Sequence, residues 1–367
     1  MKVLVTGADG FLGWHARVRL RALTEHKVVP VNRENWSELS DLAKGVDAVM
    51  HIAGINRAAP EEVEQGNIDL ANQVAEAVRT SGSAPRIVYA NSIQAGNGSP
   101  YGNGKTAGAA ILASVAGEVG SAFVDVHLPN LFGEYGRPHY NSFVATFVEA
   151  VINGETPEIQ NRSIALLHVQ DAAETLIDGL TTSRSRLGPL GTNTTVQDVF
   201  DLLASFHNLY SSGDIPPLDS KLNIDMMNTL RAALFPSHYP IALKAHVDDR
   251  GRLVETVRVH GGQGQTFVST TRPGITRGEH FHLGKIERFV VLSGKARISL
   301  RKVFTDEVVS FDVSGDEPEV VDMPTMWVHN ITNTGDTELT TLFWTHSLFD
   351  PAAPDTYWEP VTPAATQ

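Results

Sequence analysis

No cysteine occurs anywhere in the 367 residues, which excludes disulfides and thiolate metal sites, so any metal must be held by His, Asp or Glu. Basic residues are few: 29 Lys and Arg against 42 Asp and Glu give a net charge of -13. That balance provides no basic footprint for nucleic acid or anionic membrane, and a phosphate-bearing ligand needs local donors instead. No apolar run is long enough to span a bilayer, and the strand-like Lys2-Val3-Leu4-Val5-Thr6 is not preceded by a charged and then hydrophobic leader. A cytoplasmic location is the expectation. Internal repeats and low-complexity tracts are also absent, while the length favours two domains.

The first third of the chain alternates short β-branched runs with amphipathic segments, the rhythm of an α/β doubly wound parallel sheet. Strands are expected at 2–6, 28–32, 48–53, 86–90, 123–127 and 164–169, with helices near 11–23, 60–81, 105–119 and 140–152. Residues 183–245 change character, with Gly, Pro and Ser around two helical pieces, one opening at the capping box Thr195-Val196-Gln197-Asp198. This segment reads as a small lid on a first domain spanning 1–245. From 246 to 367 the pattern is strands separated by turns, which predicts a β-sandwich or small barrel.

After the first strand, Thr6-Gly7-Ala8-Asp9-Gly10-Phe11-Leu12-Gly13 forms a GxxGxxG turn leading into a helix. Glycines there allow a tight turn and close approach of a pyrophosphate, whose charge falls on the helix N-terminal amides. Gly7, Gly10, Phe11, Leu12, Gly13 and Ala53 are the expected coenzyme contacts. At the end of the second strand, Asn32-Arg33 replaces the acid that usually holds the ribose hydroxyls of NAD. A guanidinium can pair with a 2'-phosphate, so NADPH is the expected coenzyme, the alternative being that Arg33 is a solvated surface residue.

Ser92 ends a strand, and Tyr101-Gly102-Asn103-Gly104-Lys105 follows nine residues later. Tyr101 and Lys105 share one helix face, where the ammonium is expected to lower the tyrosine pKa toward working pH. Tyr101 then serves as proton donor to a ketone oxygen that Ser92 hydrogen-bonds.

Gly7 to Gly13, His51-Ile52-Ala53-Gly54, Asn67, Ser92 and Tyr101 to Lys105 resemble the extended short-chain dehydrogenase/reductases that act on nucleotide sugars, over about residues 1–245. The resemblance implies a Rossmann-type fold, catalytic Ser92, Tyr101 and Lys105, and Lys105 as a further coenzyme contact. It also places Leu128 to Gly133, with Asn130, near the substrate diphosphate; His127 stands where relatives often have Arg. Ile93-Gln94 occupies the place of the Asp-Glu pair of dehydratases, so reduction of a keto-sugar fits better than elimination.

In the second half, Gly274 is followed after five residues by His280, then His282, then Glu287 after four more and Gly294 after six. Strand alternation points both imidazoles one way, and a turn at Leu283-Gly284-Lys285 brings Glu287 alongside. This spacing resembles the first cupin motif. Pro324 to His329 resembles the second, with Met326 where glycine is usual, and the likeness makes His329 a fourth ligand. Three imidazoles and a carboxylate suit Zn, Fe, Mn or Ni, zinc being the first expectation. Metal-free epimerising cupins, in which His is a base, are the alternative.

A reductase ahead of a cupin resembles, over the full length, the CapF family of capsular polysaccharide synthesis enzymes. That likeness implies C3 epimerisation of a UDP-4-keto-6-deoxy-2-acetamido-hexose in the cupin and NADPH-dependent C4 reduction in the first domain. The product would be UDP-N-acetyl-6-deoxy-L-talosamine, on the way to UDP-N-acetyl-L-fucosamine, and the enzyme a homodimer. Two other readings stay open: a reductase whose cupin only binds or dimerises, and a redox-sensing regulator without catalysis.

Overall fold

The computed structural model describes residues 1–140 and 142–363. It divides into two units, Met1–Thr146 with Ile159–Gln197, and Phe147–Glu158 with Asp198–Gln367. Among the described residues no helix is long and apolar enough to cross a membrane.

The first unit is built on strands β1 (Lys2–Thr6), β2 (Lys27–Val31), β3 (Ala48–His51), β4 (Arg86–Ser92) and β5 (Phe123–Leu128). With the later β6 (Arg186–Leu187) they form one sheet in the order β2-β1-β3-β4-β5-β6, parallel throughout. Alternation along β1 sends Val3 and Val5 into one core with Ala16, Leu20, Ala172 and Leu176, and Leu4 into the other with Val74, Val78, Leu112 and Val115. Helices α1 (Phe11–Leu23) and, later in the chain, Val169–Asp178 therefore cover one face. Helices Pro60–Thr80 and Pro100–Glu118 cover the other. The strand order reverses at β1/β3, the switch point beyond whose carboxyl ends open α/β sheets bind ligands.

The helix carrying Tyr101 and Lys105 starts at Pro100 rather than at 105. Ser99 caps it, accepting from the Gly102 N–H at 3.1 Å, and Pro100 takes the first helical position, where its missing N–H costs nothing. Tyr101 and Lys105 thus lie on one helix, as their spacing requires.

The second unit is antiparallel. One sheet joins the strands Ile241–Ala242, Glu319–Met323, Glu287–Ser293, Leu339–Thr345 and Gln265–Thr271, and another joins Val308–Ser314, Lys295–Lys302, Trp327–Asn333, Thr276–Phe281 and Tyr357–Trp358. This is the all-β architecture expected after residue 246, following a parallel α/β region.

The segment expected to be a lid divides: residues 183–197 belong to the first unit, and 198–245 to the unit that holds the barrel. The physical reason is a buried polar network. Arg288 and Asp322, on neighbouring barrel strands, are fully buried and paired through Nε–Oδ1 at 2.8 Å and Nη2–Oδ2 at 2.9 Å. Tyr210, from helix Val196–Tyr210, donates to Asp322 Oδ2 at 2.5 Å, and its hydroxyl also meets that of Tyr239. Arg231, from helix Lys221–Leu234, donates to the Met323 carbonyl. These groups satisfy one another only if both helices stay on the barrel. Replacing Arg288 with alanine leaves Asp322 as a buried carboxylate without its guanidinium, and a loss of about 3–5 kcal/mol is expected in denaturant unfolding.

Candidate active site and metal centre

At the carboxyl end of β1 the chain turns at Gly7 (φ +66°), and Gly10 donates to the Gly7 carbonyl at 2.9 Å. A Cβ on Gly13 would collide with the Gly7 carbonyl, so glycine is required there for the helix to start so close to the strand. Gly10 is the N-cap of α1 with no side-chain cap hydrogen bond, and a helix N-terminus without a side-chain cap suits an anion. Phe11 and Leu12 begin that helix. The Ala53 N–H donates to Thr6 Oγ1 at 3.2 Å, which brings the third-strand loop beside the turn.

The 2'-phosphate expectation meets a more complex site. Arg33 is exposed, while Asn32 donates to Asp9 Oδ2 at 2.7 Å, and Asp9 Oδ1 pairs with Arg17 at 2.5 Å. Asp9 was passed over in the sequence because it lies inside the glycine turn. It places an acid at the end of β2 after all, though not at the position where one is usual.

Ser92, Tyr101 and Lys105 converge. Ser92 and Tyr101 come close enough for the Ser92 side chain to favour the ionised phenol, and Lys105 Nζ lies 5.9 Å from the Tyr101 ring centroid and 4.7 Å from that of Tyr89. Lys105 is buried and donates to the Ala90 carbonyl at 2.9 Å. Gly54 makes room for this: a Cβ there would stand 3.1 Å from Asn67 Oδ1 and 3.4 Å from Lys105 Nζ.

The expected lowering of the Tyr101 pKa is not what the structure shows. Burial pushes the phenol up, and the influence of Ser92 offsets only part of that. Burial also pushes the Lys105 ammonium down to about 8, against the raising influence of Asp125. His51, stacked on Tyr89 and bonded to Thr6 at 2.7 Å, is held down to about 3 by burial and by Lys105. The kcat/KM for ketone reduction should therefore fall as pH rises through about 8 and the Lys105 charge is lost. A descending limb first appearing near pH 10 would contradict this.

His127, expected near the substrate diphosphate, has both ring nitrogens engaged. Nε2 meets Asp125 Oδ2 at 2.7 Å, and Nδ1 accepts from Arg186 Nη2 at 3.0 Å. Asp125 in turn accepts from Asn91, whose Oδ1 takes the Ser92 N–H. Arg186 thus brings a guanidinium against the His127 ring. Asn130 is exposed.

In the second unit His280, His282, Glu287 and His329 each offer one ligand atom, and these atoms all lie within 4.8 Å of one another. His280 and His329 sit on adjacent strands of one sheet, in register, and Glu287 opens a strand of the other. A bulge at Gly278–His280, with Glu279 at φ +64°, precedes the first histidine. Such bulges re-aim side chains at sites. Met326, where cupins usually have glycine, adopts φ +61°, so the backbone of the motif is kept. The cost of that conformation for a non-glycine is about 1–2 kcal/mol. Its N–H donates to the His282 carbonyl at 2.7 Å, joining the two motifs.

The donor set fits a metal. His282 Nδ1 is 2.5 Å from the Asp355 carbonyl and His329 Nδ1 is 3.1 Å from that of Trp327, which leaves each Nε2 lone pair facing Glu287 Oε2, at 3.1 and 3.4 Å. His329 Nε2 is buried and makes no well-formed hydrogen bond. Burial pushes His280 down to about 3, helped by His329 and His282. Burial alone would raise the Glu287 carboxyl, but His282 and His329 outweigh it and hold it well below its ordinary range. A neutral imidazole at His280 and an ionised carboxylate at Glu287 are ligand forms a divalent ion requires.

Known proteins match both halves. Residues 3–186 match the NAD dependent epimerase/dehydratase family and residues 246–357 the polysaccharide biosynthesis C-terminal domain. A Pseudomonas aeruginosa protein described as UDP-2-acetamido-2,6-beta-L-arabino-hexul-4-ose reductase is 34% identical over 365 residues, 97% of this chain and 98% of its own. The crystal structure of the capsular polysaccharide assembling protein CapF from Staphylococcus aureus is similar with a TM-score of 0.62 and 32% identity, over 98% of this chain and 100% of that one. A UDP-N-acetylglucosamine 4-epimerase from Methanobrevibacter ruminantium shares the fold over 64% of this chain and 98% of its own, at 19% identity and a TM-score of 0.53. The chain therefore belongs to the CapF family, in which an NAD dependent epimerase/dehydratase domain is followed by a polysaccharide biosynthesis C-terminal domain.

Proposed function

We propose that the protein is a bifunctional nucleotide-sugar enzyme, carrying C3 epimerisation and C4-ketone reduction of a UDP-4-keto-6-deoxy-2-acetamido-hexose on one chain. The observation that carries this reading is the presence of two complete constellations, Ser92–Tyr101–Lys105 and the His280–His282–Glu287–His329 cluster. The reductase activity of the Pseudomonas relative supports the first half.

A bound nicotinamide, NADPH in this proposal, supplies the hydride, and a bound divalent ion, zinc in this proposal, supplies Lewis acidity beside the ketone. Gly7, Gly10, Phe11, Leu12, Gly13 and Ala53 hold the dinucleotide, with Asn32 and Arg33 at its 2'-phosphate and Lys105 on its ribose. Tyr101 donates the proton to the C4 oxygen, Ser92 orients that oxygen, and the Lys105 ammonium stands beside the pair. His127 and Asn130 lie toward the diphosphate. His280, His282, Glu287 and His329 hold the ion, because enolisation beside a ketone needs the developing oxyanion stabilised.

The product in this reading is UDP-N-acetyl-6-deoxy-L-talosamine, destined for UDP-N-acetyl-L-fucosamine in surface polysaccharide. A homodimer in the cytoplasm, where nucleotide sugars and NADPH are found, belongs to the same proposal. Incubating full-length protein with the keto-sugar and NADPH, then analysing the product by proton NMR, tests it. The expected product is inverted at C3 and reduced at C4. A product reduced at C4 with C3 retained would leave the barrel as a binding or dimerisation module, and no turnover at all would favour a regulator.

A further inference from the structure

The ligand loop between His282 and Glu287 is held by a residue some seventy positions away. The Asp355 carboxylate accepts from three successive backbone amides, Leu283 N–H to Oδ1 at 2.8 Å, and Gly284 and Lys285 N–H to Oδ2 at 3.0 and 2.8 Å. The backbone carbonyl of the same residue takes the His282 Nδ1 contact at 2.5 Å. Asp355 reaches both because it adopts φ +44°. Neighbouring contacts fix the segment in place. Lys285 Nζ donates to the Pro354 carbonyl at 2.7 Å. Tyr357 and Trp358 pair with Phe281 and His280, and Glu359 forms a buried ion pair with Arg301 at 2.7 Å.

We infer that Asp355 is a positioning residue of the metal centre: its carboxylate fixes the 283–285 loop, and its carbonyl fixes the tautomer and ring orientation of His282. With Nδ1–H committed to the carbonyl, the proton is kept off Nε2, whose lone pair is the one directed at the cluster. The carboxylate works one step further out. A loop whose three amides converge on one anion cannot rotate His282 away from Glu287 without losing all three bonds. Outer-shell partners of this kind typically change metal affinity by about 10–100-fold.

The inference rests on the metal reading of the cluster, and the test separates the two. Asp355→Asn is the main variant, because asparagine tolerates a left-handed backbone while turning an amide NH2 or a single acceptor toward amides that now share an anion. Zinc affinity of the metal-free full-length protein is measured by competition with a chromophoric chelator. The His282 tautomer is read from two-bond proton–nitrogen spectra of the imidazoles, and NADPH affinity serves as a fold control. Wild type should bind one zinc with His282 as a single Nδ1–H tautomer. Asp355→Asn should bind zinc about 10-fold or more weakly and show mixed tautomers, with NADPH affinity unchanged. Asp355→Ala should lose more. Equal zinc affinity and an unchanged tautomer in Asp355→Asn would overturn the role of Asp355 alone. Absence of zinc binding by wild type would instead overturn the metal reading.

Discussion

Replacing Tyr101 with phenylalanine should cut C4-ketone reduction by about 10²–10⁴-fold, the range for loss of a positioned general acid. The side chain keeps its place in the helix that begins at Pro100, and only the phenol hydroxyl is removed. NADPH affinity should hardly change, because in the proposed binding mode the glycine turn and Lys105 hold the dinucleotide. The effect should therefore appear in kcat. Steady-state kinetics with a UDP-4-keto-sugar, together with a coenzyme titration, separate these quantities. A comparable rise in the NADPH dissociation constant would show that Tyr101 is a binding residue rather than the acid.

Replacing His282 with alanine should remove the bound ion and, with it, C3 inversion. The imidazole is one of four convergent side chains that offer a ligand atom, and the remaining three include Glu287, which then loses its partner at 3.1 Å. A weakening of zinc binding by more than about 100-fold is expected, beyond the usual effect of an outer-shell partner. Metal content per chain after dialysis and the C3 configuration of the product are the two readouts. Retained inversion in a metal-free variant would favour a histidine base over a metal centre.

What could be read in the sequence was local. The glycine turn, the Tyr101–Lys105 spacing and the run from His280 to Glu287 are fixed by separations of a few residues, and strand or helix periodicity converts such separations directly into geometry. His329 came from a second local motif, and the structure brings it to the first. Met326 did not break that motif, since its backbone takes the left-handed turn that glycine usually provides.

What could not be read depends on long-range packing. Nothing near Asp355 announces that its carboxylate meets residues 283–285, nor does Tyr210 announce Asp322 across 112 positions. The division of 183–245 between the two units follows from that buried network, not from composition. Helix spacing alone gives the opposite sign for the Tyr101 shift, for a related reason. Helix spacing showed the ammonium nearby, but burial of the phenol, and the engagement of Lys105 with Ala90, are properties of the folded core.

The central claim is that two sites on one chain act on adjacent carbons of one sugar, and hydrogen exchange at C3 tests it most directly. Full-length protein is incubated with the UDP-4-keto-sugar in heavy water without coenzyme, and deuterium at C3 is followed by proton NMR. Wild type and Tyr101→Phe should both incorporate deuterium, while His282→Ala should not. Exchange that persists in His282→Ala, or that is absent from a wild type that reduces the ketone once NADPH is added, would contradict the claim.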